Sequence, residues 1–537
     1  MKSEVWYIPL AADAVLIYAP FHRISTLVNR SMAEVVSRCL SDRSEPVPEG
    51  AEWIRTLREP GDHPLAKQGN PDPLYLGLIP TRGCAMQCAY CDFTALRHYP
   101  QMSLDLIRRA VDGYAEIMEA KSSRVWNIHF FGGEPFSAFK EVFFAVNYAR
   151  RKALGSGREV RFEVTTNGYY PENKARWIAE NFDTVVLSLD GFPEVQNRHR
   201  PGMNGSESFS TVCRSADIFS RGSCELIIRS CVSAENAETL AEWAAFLADR
   251  FVPGAVCLEP MIKSPLAEKN GLFPPDPDVF VRNWTSAYRI LKKERIRLVS
   301  SSVDISQVKS SLCPMGQDAL IVSSEGIVGG CWQLAENQHA GNIDLRFGSV
   351  DSDGLHIEMD QLEIQRKRSE ANRERCRSCF CYANCAGGCL LNRERSGEFC
   401  RMTKALTLWQ LLEQLGYRAC ADFLLSDRHF SDLLDAETDF SGIGNILMDD
   451  RNVIDRKSDI SGDEVHYDFS NFPFAAPVKT AQKGWVRDGL RWLLLDPGKH
   501  SFKVLEGEEG LDFQLEQCGF SSSDSADLRA ALCGEAA

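Results

Sequence analysis

From residue 74 to about residue 265 the chain alternates short apolar runs with longer segments whose apolar positions recur every three or four residues. The runs "LYLGLI", "WNIHFF", "VRFEVTT", "TVVLSLD", "ELIIRSCVS" and "AVCLEP" have the length and composition of strands. Between them, "LIRRAVDGYAEIMEA", "EVFFAVNYARRKAL", "KARWIAENF", "STVCRSADIFSRG" and "AETLAEWAAFLADRF" carry the helical period. Alternation of this kind predicts parallel strands with crossover helices, and right-handed crossovers wrap them into a barrel or part of one. The expected fold class is α/β, a partial (β/α)6 TIM-like barrel. Chemistry in such folds gathers at the C-terminal ends of the strands, so the loop after the first strand falls on the reactive face.

The flanks read differently. Residues 1–70 form a small N-terminal α+β segment: strands in "EVWYIP", "AVLIYAP" and "ISTLVN", then a helix in "SMAEVVSRCL" capped by Ser31, then the connector "RSEPVPEG". The barrel is expected over 71–300. A cysteine-rich extension is expected over 301–424, with strand-like "ALIVSSEGIVGGCW" and the amphipathic helix "RMTKALTLWQLLEQLGY". Residues 425–537 begin as an acidic, turn-rich linker and end in strands "LRWLLLD" and "SFKVLE" and a helix near "SADLRAAL", an accessory segment without a motif.

The net charge of -14, with no dense Lys/Arg tract, argues against nucleic acid as a partner. No window approaches eighteen uninterrupted apolar residues and the N-terminus lacks the pattern of a signal peptide, so the expected location is cytoplasmic, without a membrane. In a reducing compartment the 19 cysteines point to metal or catalysis before disulfides. They cluster, with three inside residues 84–91 and six inside 376–400.

The loop "PTRGCAMQCAYCDFT" spaces Cys84, Cys88 and Cys91 as C-x3-C-x2-C. Three thiolates hold three corners of a 4Fe-4S cluster and leave one iron for another ligand. Zinc completed by a distant His, or cysteines that bind nothing, are the alternatives that spacing leaves open. The surroundings resemble the signature of the radical S-adenosylmethionine (SAM) superfamily. That resemblance implies a cluster on these three cysteines, with the SAM amino and carboxylate groups on the open iron. Tyr90 stands where the family has an aromatic residue near the adenine. Gly132, Gly133, Glu134 and Pro135 of "FFGGEP" match the motif that meets the SAM ammonium. "TTNG" with Thr166 and Asn167, and "LSLDG" with Ser188 and Asp190, match strand ends that contact the ribose and carboxylate. "DGFPEVQNRHRP" resembles a maturase pattern that puts Arg200 in the place of a carboxylate-binding arginine, with Arg198 as neighbour. Gln196 and Asn197 replace the usual His and Asp.

A second set looks like the SPASM extension of peptide- and protein-modifying radical SAM enzymes, which holds two auxiliary iron-sulfur clusters. By position, Cys376, Cys379, Cys385 and Cys400 would ligate the distal cluster, and Cys313, Cys331 and Cys389 the nearer one, for three 4Fe-4S clusters in all. A zinc ribbon over 376–389 would use four of these cysteines and ignore the rest. The nearer set counts only three, which implies either an open iron or a fourth ligand from elsewhere; Cys381 lies outside the motif.

The resemblance implies a radical SAM oxidoreductase that matures a ribosomally made precursor peptide by thioether or carbon-carbon cross-linking. It implies an external one-electron donor such as flavodoxin or ferredoxin. Alternatives are a formylglycine-forming sulfatase maturase, a peptide epimerase, and an iron-sulfur electron-transfer protein without radical chemistry. The sulfatase subfamily carries an Asp after the extension's second cysteine, where this chain has Trp332. An epimerase would need a thiol hydrogen donor at a strand end, for which Cys231 and Cys257 are candidates. The N-terminal strands and helix resemble a leader-peptide-gripping element, or else form a cap that packs on the barrel.

Overall fold

Local signals explain most of the elements. The structure, a computed structural model, describes residues 4–11, 14–64, 67–91, 93, 100–334, 344–391 and 397–417, and short stretches between 487 and 533. The acidic stretch from 425 to 480 lies outside the described residues. Strands β1 (Trp6–Ala11), β2 (Ala14–Ala19) and β3 (Ile24–Val28) form an antiparallel sheet. β4 (Leu76–Leu78), β5 (Val125–Phe130), β6 (Glu159–Thr166), β7 (Thr184–Ser188), β8 (Glu225–Val232), β9 (Ala255–Pro260) and β10 (Arg297–Val299) follow in one parallel run, neighbours in space as in sequence. β4 to β9 are the six expected barrel strands, and β10 adds a short seventh.

The extension does not start a new sheet. β11 (Leu320–Val322) pairs parallel with β4, and β12 (Ile327–Gly329), β13 (Arg346–Asp351) and β14 (Gly354–Ile357) continue antiparallel, so the sheet has eleven strands. A buried ion pair, Arg366 to Asp318, locks this junction, and Asp318 also accepts the amide of Asp72 at 2.9 Å. At the C-terminus β15 (Arg487–Asp488), β16 (Arg491–Asp496) and β17 (Ser501–Leu505) pair antiparallel, matching the two strand runs read there.

Alternation along β6 sets its two faces. Phe162, Val164 and Thr166 are buried towards the covering helices, while Arg161, Glu163 and Thr165 are less buried and turn to the lumen. Under the helices Trp126, Phe130, Phe143 and Phe162 are at most 1% exposed, each contributing roughly 2–3 kcal/mol by burial. The helix Leu104–Ala120 starts at a Ser103 cap that accepts the Leu106 amide at 3.1 Å.

Two long helices escaped the sequence reading. Pro277–Lys293 begins at Asp276, whose carboxylate accepts the amides of Asp278 and Val279 at 3.0 Å, with proline at the first position. Met359–Glu374 is too polar for its buried stripe to stand out. In the N-terminal helix Arg30–Ser41 the cap is Asn29 and not Ser31: Asn29 accepts the Met32 amide at 2.8 Å.

The N-terminal sheet is covered on both faces, which accounts for the unbroken apolar run of β2. Ala33, Val36 and Cys39 of the helix cover one face. The other meets the cysteine-rich extension, where Trp6 Nε1 donates to the Ser378 carbonyl at 3.1 Å and its ring lies 6.4 Å from that of Tyr382. The C-terminal helix Ser522–Cys533 returns to the barrel exterior. There Lys140 pairs with Asp524 at 3.0 Å and Asp527 at 2.8 Å, and Phe520 stacks on Phe139 at 5.1 Å. Among the described residues no helix is long and apolar enough to cross a membrane.

Candidate functional site

The cysteine loop follows β4 at the C-terminal face and is tied down by backbone bonds from the segment after the helix Pro193–His199. Gln87 donates to the Pro201 carbonyl at 2.8 Å, Ala89 to the His199 carbonyl at 2.9 Å, and Met203 to the Ala85 carbonyl at 2.9 Å. On the other side the Gly132–Gly133 turn presses against the loop's root. A Cβ on Gly133 would lie 2.2 Å from the Arg82 carbonyl, and one on Gly132 2.4 Å from that of Thr81, so only glycine allows this approach.

N–H groups converge on the sulfurs. The Met86 amide and the Asn167 side-chain amide each lie 3.4 Å from Cys84 Sγ, and an Arg200 nitrogen lies 3.9 Å from Cys88 Sγ. Burial pushes the Cys84 thiol up to about 12 and the Cys88 thiol up to about 11; their neighbouring sulfurs add to this. Among the described residues no three His, Cys, Asp or Glu side chains converge tightly enough for a single metal ion. Cluster thiolates each bind a different iron and need no such convergence.

Two buried carboxylates organise the strand ends. Glu134 is 2% exposed and accepts from Thr166 Oγ1 at 2.8 Å, the Asn167 amide at 2.8 Å and the Phe136 amide at 3.2 Å. Burial pushes it up to about 7 against these three donors. Asp190, fully buried, accepts Tyr90 Oη at 2.6 Å and the Cys231 amide at 2.9 Å, and its Oδ2 lies 2.9 Å from Arg200 Nε. Burial would raise Asp190, but Arg200, then His199 and the Cys231 amide, outweigh it and hold the carboxyl well below its ordinary range. Arg200 also lies 5.3 Å over the Tyr90 ring, whereas Arg198 turns outward to Glu235 at 2.8 Å. Ser188 ends β7, largely buried.

His199 was missed in the sequence. It is fully buried, with Nδ1 3.3 Å from Asp190 and Nε2 3.1 Å from Ser233 Oγ. The signal was present: Gln196, in the place of the usual His, is three residues earlier on the same helix, so the two share a face. Gln196 accepts the Asp190 amide at 2.8 Å, while Asn197 accepts the amides of Ser208 and Phe209 at 2.9 Å and so caps the next helix. Cys231 faces the lumen beside Tyr90, raised to about 12 by burial; Cys257, also facing the lumen, donates to Glu259 at 3.4 Å and is raised further.

The extension's cysteines fall into two groups. Burial raises the Cys313 and Cys331 thiols and the neighbouring Cys389 adds to both; burial likewise raises Cys376 and Cys385, with Cys379 and Cys400 near enough to add to both. Cys381 is buried within the second group, where its thiol bonds Cys379 and lowers it. Trp332, beside Cys331, reaches into the barrel: a Cβ on Gly77 of β4 would lie 2.7 Å from its ring. The ring stacks on Tyr75 at 6.0 Å and meets His129 at 5.0 Å and Phe131 at 5.1 Å.

Residues 78–247 match the family model of the Radical SAM superfamily. The chain carries a radical SAM domain. It is 26% identical over 339 residues to the cysteine-type anaerobic sulfatase-maturating enzyme of Clostridium perfringens, covering 59% of this chain and 89% of that one. It is 23% identical to the serine-type anaerobic sulfatase-maturating enzyme of Klebsiella aerogenes, covering 64% and 86%. Solved structures similar to it include a Clostridium perfringens anaerobic sulfatase-maturating enzyme with bound AdoMet, at TM-score 0.47 and 18% identity over 68% of this chain and 99% of that one. Another is Streptococcus suis SuiB bound to S-adenosylmethionine, at TM-score 0.43 and 13% identity over 73% and 96%. The radical SAM domain makes this chain an enzyme of radical chemistry, and the two curated relatives named above are maturases.

Proposed function

We propose that this radical SAM enzyme modifies a ribosomally made precursor peptide, forming a thioether or carbon-carbon cross-link. In this reading Cys84, Cys88 and Cys91 hold the 4Fe-4S cluster of the radical SAM domain. The N–H groups aimed at the Cys84 and Cys88 sulfurs carry the assignment, because such donors stabilise anionic sulfur. Bound with SAM, that cluster supplies the electron that yields a 5'-deoxyadenosyl radical. Tyr90, the turn Gly132, Gly133, Glu134 and Pro135, and Thr166, Asn167, Ser188, Asp190 and Arg200 form the SAM pocket. Glu134 and Asp190, saturated by protein donors, act there by fixing the strand ends, while Arg200 offers its charge. Cys376, Cys379, Cys385 and Cys400 hold one auxiliary cluster, and Cys313, Cys331 and Cys389 the other.

The lumen lined by Tyr75, His129, Phe131 and Trp332 is where a peptide residue would meet the radical. Residues 1–70 act as the peptide-gripping unit, 71–300 as the radical SAM barrel, 301–424 as the auxiliary cluster unit, and 425–537 as an accessory. An external flavodoxin or ferredoxin delivers the electron, and the reaction is cytoplasmic. A formylglycine-forming maturase is the second reading, favoured by the relatives in Clostridium and Klebsiella. Against it stands Trp332, which cannot act as a base.

The test is reduction of the iron- and sulfide-reconstituted protein with dithionite in the presence of SAM, together with co-expression of short peptides encoded next to the gene. Formation of 5'-deoxyadenosine and a peptide lighter by two hydrogens support cross-linking. An unmodified peptide alongside conversion of a sulfatase Cys or Ser to formylglycine would replace it with the second reading. Absence of 5'-deoxyadenosine would leave only electron transfer.

A further inference from the structure

Among the described residues, the lower part of the barrel lumen, away from the cysteine loop, holds a carboxylate with no Lys or Arg ion pair. The register across β4, β5 and β6 aligns Gly77, His129 and Glu163 in one layer. Four residues on along β6 comes Asn167, at the strand end that faces the cysteine loop; four residues of strand span about 13 Å. Glu163 therefore stands well below the level of the radical chemistry and points into the same lumen. Its carboxylate lies 3.5 Å from His129 Nδ1, and 45% of the side chain's surface is accessible to solvent. His129 Nε2 is 3.2 Å from Thr165 Oγ1, and burial holds the ring's pKa near 3, so it brings no positive charge. Another lumen carboxylate, Glu259, is already engaged by the Ser301 amide at 2.6 Å and the Ser301 hydroxyl at 3.1 Å.

An aromatic wall completes the place. Trp332 and Tyr75 stack nearly parallel, at 7°, and His129 and Phe131 stand against Trp332. Flat rings attract a cation to their faces, a carboxylate supplies the opposite charge, and a methylene stem lies well along such a wall. Resting on the peptide-maturase reading, we propose that this part of the lumen is a subsite for a cationic side chain, a lysine or arginine of the peptide. The charge sits at Glu163 and the stem runs along Tyr75 and Trp332, leaving the residue's backbone end and its nearest carbons towards the SAM level.

The site carries its own pH signature. Burial, and secondly Glu225, push Glu163 up to about 7. A bound cation favours the charged form, so affinity for a lysine side chain rises as pH climbs through about 7 and is lost below it. The groups that face Glu163 do not mimic this. His129 stays neutral, and burial holds Tyr75, beside Cys313 and Cys331, far above neutrality as a phenol. Glu225 pairs with Arg297 at 3.0 Å, Arg161 with Glu159 at 2.8 Å, and Asp183 accepts the Phe162 amide at 2.7 Å.

The experiment is calorimetric binding of capped pentapeptides Gly-Gly-Xaa-Gly-Gly to the full-length reconstituted protein with SAM, where Xaa is lysine, arginine, norleucine or glutamate, between about pH 6 and pH 8. Lysine and arginine peptides are expected to bind at least ~10-fold tighter than norleucine at the upper pH, with the advantage shrinking towards the lower. Glu163→Gln removes both the preference and its pH dependence, and Glu163→Asp, which keeps the charge, retains the pH dependence. Equal affinity for lysine and norleucine, no measurable binding of the lysine peptide, or a preference that survives in Glu163→Gln overturns the proposal. Failure of the maturase reading shows separately, as absence of 5'-deoxyadenosine from the same protein.

Discussion

The loop bearing Cys84, Cys88 and Cys91 and the segment bearing Cys376, Cys379, Cys385 and Cys400 both gather thiols on short stretches, yet they are built in opposite ways. The barrel builds the first: its sulfurs are reached by Asn167 and Arg200 from other segments, and its backbone is pinned by residues 199–203. The second builds itself through turns within its own stretch, Cys379 to Cys376, Tyr382 to Cys379, Cys385 to Cys381 and Gly388 to Cys385, at 2.8–3.2 Å. Distant side chains therefore reach the sulfurs of the first, whereas in the second the turns and the Cys381 thiol lie within the stretch and the distant Trp6 reaches only a backbone carbonyl.

The sharpest way to break this contrast is to remove the first set. Cys84→Ala with Cys88→Ala and Cys91→Ala should abolish 5'-deoxyadenosine formation, by at least about 1000-fold, while iron analysis should still find the metal of the clusters proposed for the extension. Loss of all iron would show that the two regions load as one unit.

Asp190→Asn comes next. It leaves Arg200 buried beside a neutral amide and should cost about 3–5 kcal/mol in urea unfolding, with the cysteine loop loosened although no cysteine has changed. An effect below about 1 kcal/mol would mean that the loop stands without the barrel's help.

Asn167→Ala removes the donor to Cys84 Sγ and the bond to the Tyr169 amide. We expect a cost of about 1–2 kcal/mol and a lower reduction potential for the first cluster, because a lost N–H···S bond destabilises the reduced, more negative state. EPR-monitored titration should leave the extension's potentials in place.

The smallest effect belongs to Cys381→Ala. It withdraws the thiol that bonds Cys379 and should cost on the order of 1 kcal/mol, altering only the extension's EPR signals. A change in the first cluster's spectrum would contradict the independence of the two regions.

Much of this was legible because the signals are local. The strand and helix periods from Leu76 to Pro260 depend on which side of each element is buried, and the cysteine spacings are short enough to read directly. In space Cys389 lies near Cys313 and Cys331, and Cys376, Cys379 and Cys400 lie near Cys385. Polar helices were not legible: Met359–Glu374 buries residues such as Gln365 and Arg366, whose composition reads as solvent-facing.

The sequence by itself determined the order of the barrel elements, the cysteine loop on the reactive face and the family resemblance, since each rests on periodicity or short spacing. Only the tertiary structure decided which side chains complete the site. It turned Arg200 inward and Arg198 outward, brought in His199 one helical turn after Gln196, and extended the barrel sheet through β11 so that Trp332 enters the lumen opposite Glu163's layer. Those choices depend on register and burial between segments far apart in the chain, and no local pattern of residues encodes them.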